Sequence, residues 1–158
     1  MYRTFSAETG IVVLKHLAAV YSIMETNPTH LLTLPAFGEI EPDRIVSQDD
    51  LFVVIRDKYP VSPGHTLIIP RRPVVRFNKL TVAEATRLTA LVASVQEQLN
   101  NTLSPKPDAY NIGVNDGEAA GQTIPQFHLH VIPRYRGDVT DPRGGVRWII
   151  PEKAKYWE

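Results

Sequence analysis

Two histidines alternate with apolar residues in the segment Gln-Phe-His-Leu-His-Val-Ile at residues 126–132. Side chains of a β-strand point alternately to its two faces, so Gln126, His128 and His130 are predicted to share one face, opposite an apolar face. Near pH 7 an imidazole can act as a nucleophile or, once protonated, can stabilise anionic oxygens. Solvated surface histidines are the simpler alternative, but two of them opposite an unbroken apolar face favour a site.

A polar, glycine-rich segment, residues 113–123, comes directly before this histidine strand. Its backbone N–H groups, together with Gln122 and Thr123, could hold the oxygens of an anion such as phosphate. Glycine is also common in ordinary turns, so the loop is weak evidence when taken alone.

These groups must be positioned by a sheet. From Arg44 onward, short runs of β-branched and aromatic residues are bounded by Asp, Pro or Gly, which predicts antiparallel strands. A connection rich in turn-forming residues, 57–64, separates the second strand from the third. The predicted strands are residues 44–46, 51–55, 66–69, 110–115 and 123–133.

Two helices are predicted beside these strands. Thr81-x-x-Glu84 is a capping box, and apolar residues follow it at spacings of three and four, which predicts one long helix over Thr81–Asn100. Apolar residues at helical spacing between Ile11 and Tyr21 predict a shorter N-terminal helix. The fold class is therefore α+β: a curved antiparallel sheet of about five strands with these two helices. Residues 1–35 are interpreted as an N-terminal extension and residues 36–158 as the domain that carries the histidine strand.

Composition excludes several classes of function. The chain of 158 residues has 17 basic and 17 acidic side chains, so it has no basic field for gripping nucleic acid. It has no cysteine, which excludes a disulfide scaffold, a thiolate nucleophile and a cysteine-ligated zinc site. The most apolar stretch, residues 10–23, contains a lysine and a histidine and is too short to cross a bilayer. We expect no secretory signal, no membrane partner and a cytoplasmic location.

Three separated blocks resemble the histidine-triad (HIT) family. Residues 121–134, Gly-Gln-Thr-Ile-Pro-Gln-Phe-His-Leu-His-Val-Ile-Pro-Arg, resemble its signature strand, and residues 57–70 resemble the block that carries its fourth histidine. Residues 72–77 are most similar to the fragile-histidine-triad branch, which hydrolyses dinucleoside polyphosphates. Residues 138–153 resemble the tail of bacterial members, so the similarity covers about residues 36–158 and implies a HIT-like fold.

The resemblance implies a role for each histidine. His128 matches the family's nucleophile, and the residue two before it orients that imidazole chiefly through its backbone carbonyl. This chain has Gln126 where the family has its first triad histidine, and glutamine can still supply that carbonyl. His130 and His65, if partly protonated, would stabilise charge on the reacting phosphate. The implied intermediate is a nucleotidyl-histidine that water then hydrolyses.

The resemblance also implies binding residues for a nucleotide. Asp57 matches a ribose-binding acid, and an Asp that opens a turn is an equally good interpretation. In the same scheme the phosphates are expected to be bound by residues of the glycine-rich loop, namely Asn115, Gly121, Gln122 and Thr123. The base is expected between the strand 51–55 and the region 37–45. Trp148 and Trp157 fit core packing, tail packing or a platform for a base.

The lead hypothesis is a hydrolase of dinucleoside polyphosphates, and the alternatives are a nucleoside phosphoramidase of the same family or a nucleotide-binding protein with little turnover. A zinc site formed by His65, His128 and His130 is a further alternative. No cofactor or metal is required by the lead scheme, although a divalent cation could accompany the substrate. A homodimer through the Thr81–Asn100 helix is expected, as in relatives, and sequence leaves open whether that helix instead packs within the chain.

Overall fold

The computed structural model describes residues 32–157, which form seven strands, two α-helices and several short 3₁₀ turns. The strands are β1 (Leu32–Leu34), β2 (Gly38–Ile40), β3 (Ile45–Gln48), β4 (Phe52–Arg56), β5 (Thr66–Pro70), β6 (Ala109–Gly113) and β7 (Leu129–Arg134). The helices are α1 (Val82–Thr102) and α2 (Pro151–Ala154).

Five of the strands form one antiparallel sheet in the order β3-β4-β5-β7-β6, and β1 and β2 form a separate hairpin. The predicted five-stranded antiparallel sheet with one long helix is confirmed. The histidine strand is shorter than predicted, because β7 begins at Leu129 rather than at residue 123. Before it the chain bends: Gln126 N donates to Ile124 O at 2.8 Å, and Pro125 between them has no N–H for a ladder.

Helix α1 covers one face of the sheet. Its capping box is formed as predicted, since the Thr81 hydroxyl accepts from Glu84 N and the Glu84 carboxylate accepts from Thr81 N. Its large apolar side chains are buried in a cluster with one face of β4, β5 and β7. The apolar stripe that the sequence offered to a dimer is therefore used within the chain. The buried helix residues of this cluster are Leu88, Leu91, Val95 and Leu99.

The β1–β2 hairpin covers part of the opposite face. Leu34 and Ile40 are buried there with Val53, Ile55 and other apolar side chains of the sheet, and Phe37 at the hairpin tip packs against them. This hairpin differs from the sequence prediction, in which Leu32–Leu34 belongs to the N-terminal extension. The predicted N-terminal helix lies outside the described residues.

Within residues 32–157, no helix is both long enough and apolar enough to cross a membrane.

Candidate functional site

The two strand histidines lie on the sheet face that bears the hairpin. Phe127, Leu129 and Val131 are buried in the cluster under α1, as the alternation predicted. His130 pairs with Leu67 on β5 and with Gly113 on β6, and its ring centroid lies 5.0 Å from that of His128. The two imidazoles are therefore neighbours on one face.

His128 is held in a defined orientation. Its Nδ1 donates to the Gln126 backbone carbonyl at 2.8 Å, and only 7% of the residue is exposed. The edge of Phe37 lies against the imidazole, with ring centroids 5.4 Å apart. A proton on Nδ1 leaves the lone pair of a neutral imidazole on Nε2, so His128 has the tautomer that a nucleophile requires.

The Gln126 side chain points into the protein and is completely buried. Its Nε2 donates to Pro70 O at 2.8 Å, and its Oε1 accepts from Ala36 N at 3.4 Å. Gln126 thus joins the end of β5, the hairpin tip and, through its own carbonyl, His128. Sequence reasoning named the carbonyl but missed the two side-chain partners, because neither Ala36 nor Pro70 carries a polar side chain that would signal a role.

A second histidine pair extends the cluster. His65, which is 4% exposed, lies with Nε2 3.0 Å from His130 Nδ1, and its own Nδ1 lies 3.5 Å from Asp57 Oδ2. The remaining nitrogen, His130 Nε2, is buried without a hydrogen-bond partner among the described residues. Buried polar atoms are normally paired, so this nitrogen is suited to contact a ligand.

Burial keeps both of these imidazoles neutral. It lowers the pKa of His130 from 6.5 to about 4, and the neighbouring His128 and His65 contribute in the same direction. Burial also lowers the pKa of His65, and the Asp57 carboxylate opposes this effect. Burial thus disfavours the protonated form of both imidazoles in the free protein, because a charged imidazole would lose its hydration.

The glycine-rich loop between β6 and β7 is tied together by Gln122. The Gln122 Oε1 accepts from Gly117 N at 2.8 Å, and its Nε2 donates to Val75 O and to Ile124 O at 3.0 Å each. The Gln122 side-chain amide therefore stabilises the loop, whereas the sequence predicted that it would bind a phosphate.

The loop's conformation depends on two glycines. Gly117 has φ +110° and Gly121 has φ +86°, a region that side chains strongly disfavour. Gly121 and Thr123 are exposed, and the amide nitrogen of Asn115 lies 4.0 Å from where a β-carbon on Gly121 would sit. Asn115 therefore lies close to Gly121, and Asn115, Gly121 and Thr123 are all accessible, as an anion site requires.

Asp57 has a structural contact as well as its position near His65. Its Oδ1 accepts from Tyr59 N at 2.7 Å, which is the turn-opening arrangement that the sequence left as an alternative. The other oxygen, Oδ2, is the one beside His65. Turn formation thus leaves one carboxylate oxygen available for a second role.

Among the described residues, one group has side chains placed to bind a metal ion together. It consists of Asp57, His65 and His130, and one ligand atom from each lies within 4.8 Å of the others. The zinc alternative from the sequence named His128 in place of Asp57. His128 Nδ1 is occupied by the Gln126 carbonyl, and its ring stands beside this group rather than in it.

The fold and the site together define an α+β domain with a helix on one face of its sheet and, on the other, a histidine cluster beside a glycine-rich loop. The family model for the HIT domain matches residues 38–137, and the chain belongs to this family.

Two curated relatives illustrate the similarity. The asymmetrical bis(5'-nucleosyl)-tetraphosphatase of Schizosaccharomyces pombe is 44% identical over 82 residues, which cover 52% of this chain and 44% of that protein. The bifunctional bis(5'-adenosyl)-triphosphatase/adenylylsulfatase FHIT of Arabidopsis thaliana is 33% identical over 105 residues, covering 65% of this chain and 57% of that protein. The match thus spans about half the length of each relative.

A solved structure shares the fold. The crystal structure of the Caenorhabditis elegans NitFhit protein superimposes with a TM-score of 0.64 at 29% identity, covering 91% of this chain and 36% of that one.

Proposed function

We propose that this chain hydrolyses phosphoric anhydride bonds of dinucleoside polyphosphates, with His128 as the nucleophile. The observation that carries the proposal is the 2.8 Å contact between His128 Nδ1 and the Gln126 carbonyl, which leaves Nε2 as the free nucleophilic atom. The names of the relatives support the substrate class, since they describe enzymes acting on bis-nucleosyl tetraphosphates and triphosphates.

The reaction has two displacements. In the first, His128 Nε2 forms a bond to the α-phosphorus and the anhydride P–O bond breaks, so that the remaining nucleotide leaves with the bonding electrons. In the second, the oxygen of a water molecule bonds to the same phosphorus, the P–N bond breaks, and the water's proton is released as the mononucleotide forms. The first step is easier than direct attack by water because a neutral imidazole is the better nucleophile near pH 7, and in the second step the same imidazole is the leaving group.

His130 and His65 respond to the charge of the substrate. In the free protein they are neutral, and a neutral His130 whose Nδ1 accepts from His65 carries its proton on Nε2, the atom that has no protein partner. That N–H can donate to a phosphate oxygen. A bound polyanion also raises the proton affinity of this pair, and the Asp57 carboxylate beside His65 adds to that effect. Proton uptake on substrate binding follows.

The loop and Asp57 complete the scheme. Asn115, Gly121 and Thr123 contact the phosphates, and Gln122 fixes the loop that presents them. Asp57 Oδ2 accepts from a ribose hydroxyl. A divalent cation, where one accompanies the substrate, shields the polyphosphate charge, and the chemistry assigned to His128 does not depend on it.

A homodimer and a cytoplasmic location remain predictions. The large apolar side chains of α1 pack within the chain, so a two-fold interface would use its exposed small residues together with β6, the open edge of the sheet. Sedimentation at micromolar concentration tests the dimer.

Covalent trapping tests the nucleophile. The protein is mixed with a dinucleoside polyphosphate labelled at the α-phosphorus and quenched in alkali, where a phosphorus–nitrogen bond to histidine survives. Wild type is expected to retain label and His128→Ala to retain none, while His16→Ala, a change outside the histidine strand, retains the wild-type amount. Label that persists in His128→Ala would overturn the assignment.

A substrate panel tests the class of reaction. Wild type is expected to cleave a dinucleoside polyphosphate with a higher kcat/KM than adenosine 5'-phosphoramidate. The reverse order would make the chain a phosphoramidase, and tight binding of both with negligible turnover would make it a nucleotide-binding protein.

A further inference from the structure

A cavity of about 620 Å³ lies on the same sheet face as the histidines. Its floor includes Ile132, two residues after His130 on β7, and Asn111, which pairs with Ile132 just as Gly113 pairs with His130. Residues two apart on a strand share a face, so the cavity begins one step beyond the histidine cluster. Its volume falls within the range of small-molecule sites, roughly 300–1,000 Å³.

The connection after β4 forms a wall shared by the cavity and the cluster. Val61, Ser62 and Pro63 line the cavity, and Val61 N lies 3.4 Å from His65 Nδ1. A ligand that leaves the histidines along β7 would therefore pass directly into this space.

Trp148 lines the opposite side. Its Nε1 donates to Arg143 O at 2.8 Å, which fixes the indole, and 40% of the residue remains exposed. Trp157 is used differently: it packs edge to face with Tyr156, and the Arg143 guanidinium lies over its ring. Of the two tryptophans that the sequence left open, Trp148 is thus the one placed as a platform, and Trp157 packs the tail.

The lining matches an aromatic, weakly polar ligand group. Most of it is apolar, and its charged side chains are paired. Arg134 Nε lies 2.6 Å from Asp138 Oδ2, and Asp141 Oδ2 lies 2.9 Å from Arg143 Nη2. Ser62 and Asn111 add a hydroxyl and a side-chain amide to the lining. Apolar walls with a few polar groups suit a nucleoside and not a polyphosphate.

The two flanks of the cluster fit the two ends of the proposed substrate. At one end Phe37 of the hairpin tip contacts His128, and at the other end lies the cavity. Along β7, Ile132 lies about 7 Å beyond His130, at 3.3 Å per residue. A polyphosphate bridge would lie along this stretch, between the two flanks.

We propose that the cavity bounded by residues 61–63 and Trp148 binds the leaving nucleoside of a dinucleoside polyphosphate, with the base on the Trp148 indole. This inference rests on the proposed function for the identity of the ligand. It explains why two nucleosides rather than one would be preferred, and it assigns the C-terminal tail a role in substrate selection. A second copy of the chain is the competing occupant.

Binding measurements test the proposal independently of turnover. Calorimetry compares two hydrolysis-resistant, methylene-bridged ligands: a bis-adenosine tetraphosphate and the matching adenosine tetraphosphate, which lacks the second nucleoside. Loss of a stacked base costs about ten-fold in affinity. Trp148→Ala is therefore expected to weaken the dinucleoside ligand about ten-fold and the mononucleoside ligand less than two-fold, and Trp148→Phe should restore most of the difference.

Two further variants keep the result interpretable. Ile149→Ala changes a neighbouring residue that is 84% exposed and outside the cavity lining, so both affinities should stay at the wild-type values. Val146→Trp fills the cavity from an exposed lining position and should weaken only the dinucleoside ligand. Equal affinities of wild type for the two ligands, or equal losses for both in Trp148→Ala, would overturn the proposal.

Sedimentation tests whether a second copy of the chain, rather than a nucleoside, occupies the cavity. If Trp148→Ala and Val146→Trp shift a dimer to monomer and leave the ligand preference unchanged, the cavity is an interface and the proposal fails. Absence of turnover in wild type would refute the proposed hydrolase while leaving the binding comparison decisive for the cavity.

Discussion

Replacing Gln126 by leucine tests whether its side-chain amide holds the site together. The change keeps most of the buried volume but removes the donor to Pro70 O and the acceptor for Ala36 N. An unsatisfied buried polar group costs about 1–3 kcal/mol. The Pro70 carbonyl is buried and its bond is short, whereas the Ala36 contact is longer and partly exposed, so we expect a total loss of about 3 kcal/mol in the free energy of unfolding.

Urea unfolding at pH 7.5 measures this loss. With a urea m-value of about 2 kcal/mol per molar, 3 kcal/mol lowers the midpoint by about 1.5 M. Gln126→His is the matched control, because a neutral imidazole supplies one donor and one acceptor and should cost less than about 1 kcal/mol. Gln126→Glu places a carboxylate opposite the Pro70 carbonyl, so its stability should fall as pH rises through the raised pKa of that buried group.

Turnover distinguishes positioning from simple packing. Leucine keeps the backbone carbonyl that orients His128 but loses the side-chain hydrogen bonds that hold this carbonyl in place. Gln126→Leu should therefore lower kcat more than it raises KM, and Gln126→His should recover most of kcat. A leucine variant with a midpoint within 0.2 M of wild type and an unchanged kcat would refute this account of the amide.

Three other predictions follow from buried groups. Folding lowers the pKa of His130 from 6.5 to about 4. As pH drops from 6.5 to 4, the His130 imidazole therefore becomes protonated in the unfolded chain before it does in the folded protein. The free energy of unfolding should fall by about 2 kcal/mol over this range, after allowance for the partial exposure of His130. The difference between the urea midpoints at these two pH values should be smaller in His130→Gln than in wild type. An equal difference in both proteins would show that His130 does not cause the pH dependence. Glu84→Gln removes a carboxylate that accepts hydrogen bonds from Arg72 at 3.0 and 2.7 Å. Thermal unfolding should show a loss of about 1–2 kcal/mol in the free energy of unfolding, and Arg72→Ala should lose a similar amount because it breaks the same pair. If the losses of the two variants add in the double variant, the two residues are not coupled and the prediction is wrong. Gly64→Ala should cost at least 2 kcal/mol, because φ is +83° and the new β-carbon would lie 2.6 Å from Leu103 Cδ1; an unchanged denaturation midpoint would show that the turn can relax.

The sequence by itself determined the main elements and the face of the sheet on which His128 and His130 lie. The capping box and apolar spacing of the 81–100 segment predicted α1 to within two residues, since helix signals are local. The alternation around His128 and His130 predicted the core face of β7 correctly for the same reason.

The partners of the site residues were decided only by the tertiary structure. Gln126 is separated from Ala36 by 90 positions and from Pro70 by 56, and its contacts with them use backbone atoms that every residue type possesses. Composition and spacing carry no record of such contacts. The neutral state of His130 likewise depends on burial by distant segments, because desolvation is a property of the packed surroundings and not of the residue itself.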